Sequence, residues 1–207
     1  MNQDNNPNRD LEFLFEIGTM KNVDRTWEQM LGMKCATNLE HSFRVAFLAL
    51  LVARRETAGG RTETLSEEKI LKMALVHDLP EARTGDLHYI GKVYATTHDE
   101  KAAADMFEGT SLTDLNESIL HEYEERQSME AKIVKDADNL DVDVELKEFE
   151  ERGSQLPKKW AANRRLVRDE KLYTQSAKEL WDEIQVADPA AWHLFSNKWY
   201  RIPNAGK

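Results

Sequence analysis

The stretch Met73-Ala-Leu-Val-His-Asp-Leu-Pro-Glu-Ala-Arg-Thr-Gly-Asp86 contains the end of a helix and a pair of chemically active side chains. Ile70, Met73, Ala74 and His77 recur at intervals of three or four, the spacing of one helix face. Ser66 ahead of Glu-Glu-Lys69 is a good N-cap for that helix. Pro80 cannot donate a backbone hydrogen bond and would clash with the carbonyl of Val76, so the helix breaks or kinks just after His77-Asp78. The pair therefore sits at a helix C-terminus, whose partial negative charge favours a bound cation.

Outward from this segment, apolar positions keep helical spacing almost everywhere and no segment alternates with period two, which predicts an all-α chain. Residues 1–10 read as a flexible lead. A first helix is expected over Leu11–Asn22, with Leu11, Phe13, Leu14, Phe15 and Ile17 as its apolar set. Asn38 is the expected N-cap of a helix reaching about Thr57 and ended by Gly59-Gly60. Further helices are expected over 97–108, 113–125, 128–151, 157–169, 174–185 and 189–200. The long helix from Ser128 has its core stripe at Ile133, Ala137, Leu140 and Val144. Asp138 lies one position off that stripe and can reach a cleft beside the core, while Asp136, Asp141, Asp143 and Glu145 are expected to face water. The acidic run is not a calcium loop, because the turn glycine is missing and the acids are wrongly spaced.

With 207 residues, 41% of them hydrophobic, the chain can build one real core, and nothing forces a second domain. The expectation is one globular helical bundle, with a motif-bearing core over 11–150 and C-terminal helices over 151–207. The longest apolar run, Val45–Ala53, is nine residues, far short of the roughly 20 that span a bilayer. The polar start is no signal peptide, so a cytoplasmic protein without membrane partners is expected. Cys35 is the sole cysteine, which rules out an intrachain disulfide and suits a small buried side chain. A formal net charge of −10 argues against a nucleic-acid polymer as partner. It leaves room for a small phosphate ester held by local cations and a metal. Lys158-Lys159 and Arg164-Arg165, flanking Trp160, read as a solvated helix face. Trp181, Trp192, Trp199 and Tyr200 are expected to pack the C-terminal helices or a subunit interface.

Two more groups can join the dyad. His41 opens an apolar helix, and Asp138 sits in Lys135-Asp-Ala-Asp-Asn-Leu140. His41, His77, Asp78 and Asp138 give two imidazoles and two carboxylates on three segments, a mixed N/O set suited to one divalent ion such as Mn, Co, Zn, Fe or Mg. Such a set leaves coordination sites for water and a substrate oxygen, which points to a metal-dependent hydrolase.

Glu40-His41, His77-Asp78 and Asp138 match the H…HD…D pattern, and the chain resembles the HD-domain metal-dependent phosphohydrolases. His-Asp-x-x-Glu-x-x-x-Gly-Asp over His77–Asp86, with Glu122–Lys132 leading into Lys135-Asp-Ala-Asp138, is similar to the 5'-deoxynucleotidase branch. The resemblance covers about Leu11 to Glu150. It implies His41, His77, Asp78 and Asp138 as metal ligands, Glu81 as acid/base, Asp86 as a contact to the substrate sugar or its hydroxyl, and Arg25 as a phosphate clamp. It further implies a nucleoside monophosphate as substrate, attack by a metal-activated water, and a homodimer. Arg25 rests on Val23-Asp-Arg-Thr26. Thr26 stands where bacterial members carry an aromatic residue and Trp27 follows one later, so base preference does not carry over.

The chemistry suits these roles. A divalent ion lowers the pKa of bound water and neutralises phosphate charge, a carboxylate such as Glu81 can move a proton, and a guanidinium matches phosphate in a two-pronged contact. Rival readings place His98 and His121 as extra ligands of a dinuclear cyclic-nucleotide phosphodiesterase. A guanosine tetraphosphate hydrolase would carry Glu-Asp where this chain has Glu81-Ala82. A non-catalytic metal-binding scaffold is disfavoured by the intact Glu81.

Overall fold

The computed structural model describes residues 7–194. Its helices are α1 (Pro7–Ile17), α2 (Glu28–Leu31), α3 (Asn38–Ala58), α4 (Glu67–Val76), α5 (Glu81–Thr84), α6 (Gly91–Tyr94), α7 (Asp99–Phe107), α8 (His121–Glu125), α9 (Met129–Glu151), α10 (Leu156–Glu170), α11 (Gln175–Val186) and α12 (Ala191–Leu194). A 3-10 turn over Gly18–Asn22 follows α1, and a π-helical turn over Leu115–Leu120 leads into α8. No strand occurs among the described residues, so the class is all-α as the periodicity predicts.

The centre is the pair α3 and α9, with α4 packed on both, α11 on both, and α10 on α9. Val45, Ala49 and Val52 of α3, Ile70 and Met73 of α4, and Ile133, Ala137 and Leu140 of α9 are wholly buried in one continuous core. Burying each large apolar side chain contributes about 1.5–3 kcal/mol. A smaller cluster of Trp27, Cys35, Leu146 and Phe149, with Trp160 against it, fastens the loop before α3 to the far part of α9. That loop is also clasped at its base by a bridge between Asp24 and Thr37, with Asn38 N donating to Val23 O at 2.8 Å. Arg25 is thereby carried to the side of α3 where His41 lies.

Several local expectations are corrected. α1 begins at Pro7, inside the supposed flexible lead, and only Phe13 of its apolar set is buried, because α1 lies on the surface while Leu11, Leu14 and Phe15 are exposed. The N-cap of α3 is Thr37, not Asn38. Thr37 and Glu40 form a reciprocal capping box, which leaves the Asn38 carboxamide available for other use. Ser66 caps α4 as expected, and Ser128, expected as the first residue of its helix, is the N-cap of α9. Of the helix expected over 189–200, Ala191–Leu194 is seen, and 195–200 with Trp199 and Tyr200 lie outside the described residues. Trp181 is buried as expected, whereas Trp192 is exposed.

The largest correction concerns the acids of α9. Asp136, Asp141, Asp143 and Glu145 are buried, not solvated, because α9 is covered on several sides and each acid meets its own partner. Asp136 accepts from the backbone N–H groups of Tyr173 and Thr174 and from the Thr174 hydroxyl at 2.7–2.8 Å. Asp143 pairs with Arg164, and Glu145 accepts from Ala36 N. Arg164 therefore turns inward, while Lys158, Lys159 and Arg165 stay exposed as a solvated face. Cys35 is buried. No helix of the described residues is long and apolar enough to cross a membrane.

Candidate functional site

The His-Asp dyad ends α4 as Pro80 requires: His77 is the C-cap, and the short helix α5 restarts at Glu81. His41 comes from the second turn of α3 and Asp138 from α9. One ligand atom from each of His41, His77, Asp78 and Asp138 lies within 4.8 Å of the others, a group that could hold a metal ion. His41 Nε2 is 3.4 Å from Asp78 Oδ2, 3.3 Å from Asp138 Oδ1 and 3.4 Å from His77 Nε2; His77 Nε2 is 3.3 Å from Asp78 Oδ2. Atoms each about 2.1 Å from one ion stand roughly 3.0–3.4 Å apart, so these spacings fit a shared ion.

The outer partners of both imidazoles fix the tautomer that a metal needs. His77 Nδ1 donates to Ala74 O at 2.9 Å, and His41 Nδ1 donates to Asp141 Oδ2 at 2.6 Å, so each Nε2 faces the cluster. Asp141 is in turn bonded to Arg44 Nε, and Tyr123 packs edge-on against the His77 ring, 5.7 Å between centroids. The electrostatics ask for a cation at the centre. Burial and Arg25 disfavour a charged His41, yet hydrogen bonds to Asp138, Asp141 and Asp78 hold its pKa well above the ordinary value. Burial opposes the charge of Asp78, but His77 and His41 keep it ionised below the usual carboxylate range. Burial also opposes the charge of Asp138, which Lys135, His41 and His77 hold well below that range. A metal ion can replace the proton that His41 otherwise retains among these acids.

Arg25 lies beside the cluster, 3.9 Å from Asp78 and 3.8 Å from Asp86, and its Nε and Nη1 are buried with no hydrogen-bond partner. Burial works against its charge, and Asp78, Asp86 and Asp138 more than restore it. A buried guanidinium with unused donors is costly to leave unpaired and fits an incoming anion. Lys135 contributes a second cation, its Nζ 2.6 Å from Asp138 Oδ2.

Glu81 accepts from the Asn38 carboxamide. Burial, then the charges of Asp78 and Asp86, push its carboxyl up to about 9 against the opposing pull of Arg25 and Asn38. Asp86 follows Gly85, whose φ of 77° and ψ of 152° are tolerated essentially by glycine alone. The turn sends Asp86 back to Thr26, which donates to Asp86 Oδ2 through its backbone N–H at 2.8 Å and its hydroxyl at 3.2 Å. Arg25, Asp78, Glu81, Asp86 and Asp138 all line one cavity of about 490 Å³ that continues toward α10.

All seven residues singled out in the sequence are thus brought together. Sequence reasoning missed Asn38, Lys135 and Asp141. Asp141 was legible in principle, since it stands three residues after Asp138 and shares its side of the helix. His98 and His121 are not part of the cluster; His121 is exposed, 3.5 Å from Glu125.

Residues 17–185 match the family model of the HD domain. The chain is 31% identical over 147 residues to the 5'-deoxynucleotidase HDDC2 of Danio rerio, covering 68% of this chain and 70% of that one. It is 29% identical over 163 residues to the 5'-deoxynucleotidase HDDC2 of Dictyostelium discoideum, covering 72% and 82%. Among solved structures, a conserved hypothetical protein from Pyrococcus furiosus superposes with a TM-score of 0.70 at 27% identity, over 84% of this chain and 98% of that chain.

Proposed function

The chain belongs to the HD-domain family of metal-dependent phosphohydrolases, and on that premise we propose that it removes the 5'-phosphate of 2'-deoxyribonucleoside monophosphates, acting as one domain in a cytoplasmic homodimer. The observation that carries the reading is the buried guanidinium of Arg25, its Nε and Nη1 without hydrogen bonds, next to the four-residue metal cluster: a place for one phosphate beside a place for one ion.

When bound, a divalent ion held by His41, His77, Asp78 and Asp138 lowers the pKa of water and offsets phosphate charge. The chain's own groups do the rest. Arg25 and Lys135 orient the phosphate and stabilise the charge that spreads over its oxygens. A water oxygen bonds to phosphorus, the P–O5' bond breaks, and its electron pair goes to O5', which takes a proton; the products are deoxynucleoside and inorganic phosphate. Glu81, whose carboxyl is favoured in its protonated form by burial and by the charges of Asp78 and Asp86, is placed to give that proton and then recover one from the attacking water. Asn38 fixes its carboxyl group in place. Asp86, with one oxygen committed to Thr26, presents the other to the sugar, where a 2'-hydroxyl would be crowded or left unpaired.

The dinuclear phosphodiesterase reading lacks a second ligand set among the described residues, since His98 and His121 stand outside the cluster. The test is phosphate release from paired deoxy- and ribonucleoside monophosphates, each with Mn²⁺, Co²⁺, Zn²⁺ and Mg²⁺. Turnover of dAMP well above AMP is expected. Equal turnover of the two would refute the sugar specificity, and activity confined to cyclic nucleotides would move the chain to the rival reaction.

A further inference from the structure

We propose that one face of α10, outside the motif-bearing part of the chain, forms the nucleobase subsite, with Trp160 and Val167 as its apolar floor and Asn163 at its edge. The inference deepens the reaction proposed above and rests on it. Trp160, Asn163, Arg164 and Val167 recur at the spacing of one helix face, and all four line the cavity that also contains Asp78, Glu81, Asp138 and Arg25.

The lining divides by chemistry. Charged groups crowd the metal cluster, whereas α10 adds a flat aromatic, aliphatic side chains and a carboxamide. Trp160 is half-buried and held in orientation by stacking on Trp27, ring centroids 6.1 Å apart and planes 30° from parallel. Arg164 fixes the helix to α9 through two bonds to Asp143 and one to Asn139 O. Its guanidinium is therefore committed, and this face offers no free arginine to a second phosphate. The Asn163 carboxamide is exposed at the rim of the cavity and can donate and accept at once. A neutral, flat group with donors and acceptors on its rim, joined to a phosphorylated sugar, satisfies both parts of the cavity. Stacking a base on an aromatic side chain contributes about 1–3 kcal/mol, roughly five- to 150-fold in affinity.

The experiment compares dAMP and dTMP with 2-deoxyribose 5-phosphate, which keeps the sugar and phosphate and lacks the base. Wild type, Trp160→Ala, Trp160→Phe and Asn163→Ala are assayed as full chains. In Trp160→Ala, kcat/KM for the nucleotides should fall at least fivefold relative to the base-free ester, mainly through KM. Trp160→Phe should recover part of that ratio, and Asn163→Ala should change the ratio of dAMP to dTMP. Ratios held at the wild-type value in all three variants overturn the subsite while leaving the reaction intact. Calorimetric titration with free deoxynucleosides gives a second readout independent of turnover. Binding weakened in Trp160→Ala and kept in Trp160→Phe, without phosphate release from any nucleotide, would sink the reaction and retain the subsite.

Discussion

Asp141 Oδ2 lies 2.6 Å from His41 Nδ1, joining α9 to α3 across 100 residues of sequence. The contact forces the His41 proton onto Nδ1 and turns the Nε2 lone pair toward Asp78 and Asp138. Asp141→Asn keeps the size of the side chain and removes the charge that strengthens His41 as a ligand. Metal affinity should fall about ten- to 100-fold, the usual cost of losing an outer carboxylate. Calorimetric titration with Mn²⁺ measures it, and an unchanged Kd would exclude Asp141 from the metal site.

Glu81→Gln and Asp138→Ala should both stop turnover for different reasons. The amide of Gln cannot give or take the proton, so the rate should fall by roughly 10²–10⁴ with metal retained. Asp138→Ala removes a ligand and one negative charge, and metal content should drop with activity. Elemental analysis beside phosphate release separates the two. Full activity in the first variant, or full metal occupancy in the second, would remove that residue from its role.

Arg25→Lys keeps the positive charge but loses the two-pronged geometry that matches phosphate. KM for the nucleotide and the inhibition constant of inorganic phosphate should rise together, by about tenfold or more. A rise in KM without weaker phosphate inhibition would place Arg25 on another part of the substrate.

Asp136 is distant in role from the cluster and holds the start of α11 through three donors. Burial raises its carboxyl from an ordinary 3.8 to about 6, with the hydrogen bonds from Tyr173 and Thr174 opposing that rise. A raised folded-state pKa means that the folded chain holds this proton more tightly. The associated stability is fully present below pH 3.8 and is lost as pH rises through 6, about 3 kcal/mol at 1.36 kcal/mol per unit. Asp136→Asn does not titrate, so denaturation midpoints from pH 4 to 7 should differ from wild type by a pH-dependent amount of that sign. Parallel profiles would show that Asp136 does not take up a proton on folding.

Much of this protein could be read from the sequence because its signals are local. Helical spacing gave the all-α class, Pro80 set the end of α4, and four ligand-type residues on three segments announced a metal site. Charge and solvation resisted the same reading. Asp136, Asp141, Asp143 and Glu145 look like a wet acidic stripe in sequence, and only the packing of α9 against α3, α10 and α11 shows them buried, each with a partner from elsewhere in the chain. The Asn38 contact to Glu81 and the α10 wall of the cavity were likewise decided by the tertiary structure. Periodicity and backbone chemistry are properties of neighbours along the chain, whereas the partner of a buried polar group is fixed by which helices meet in space.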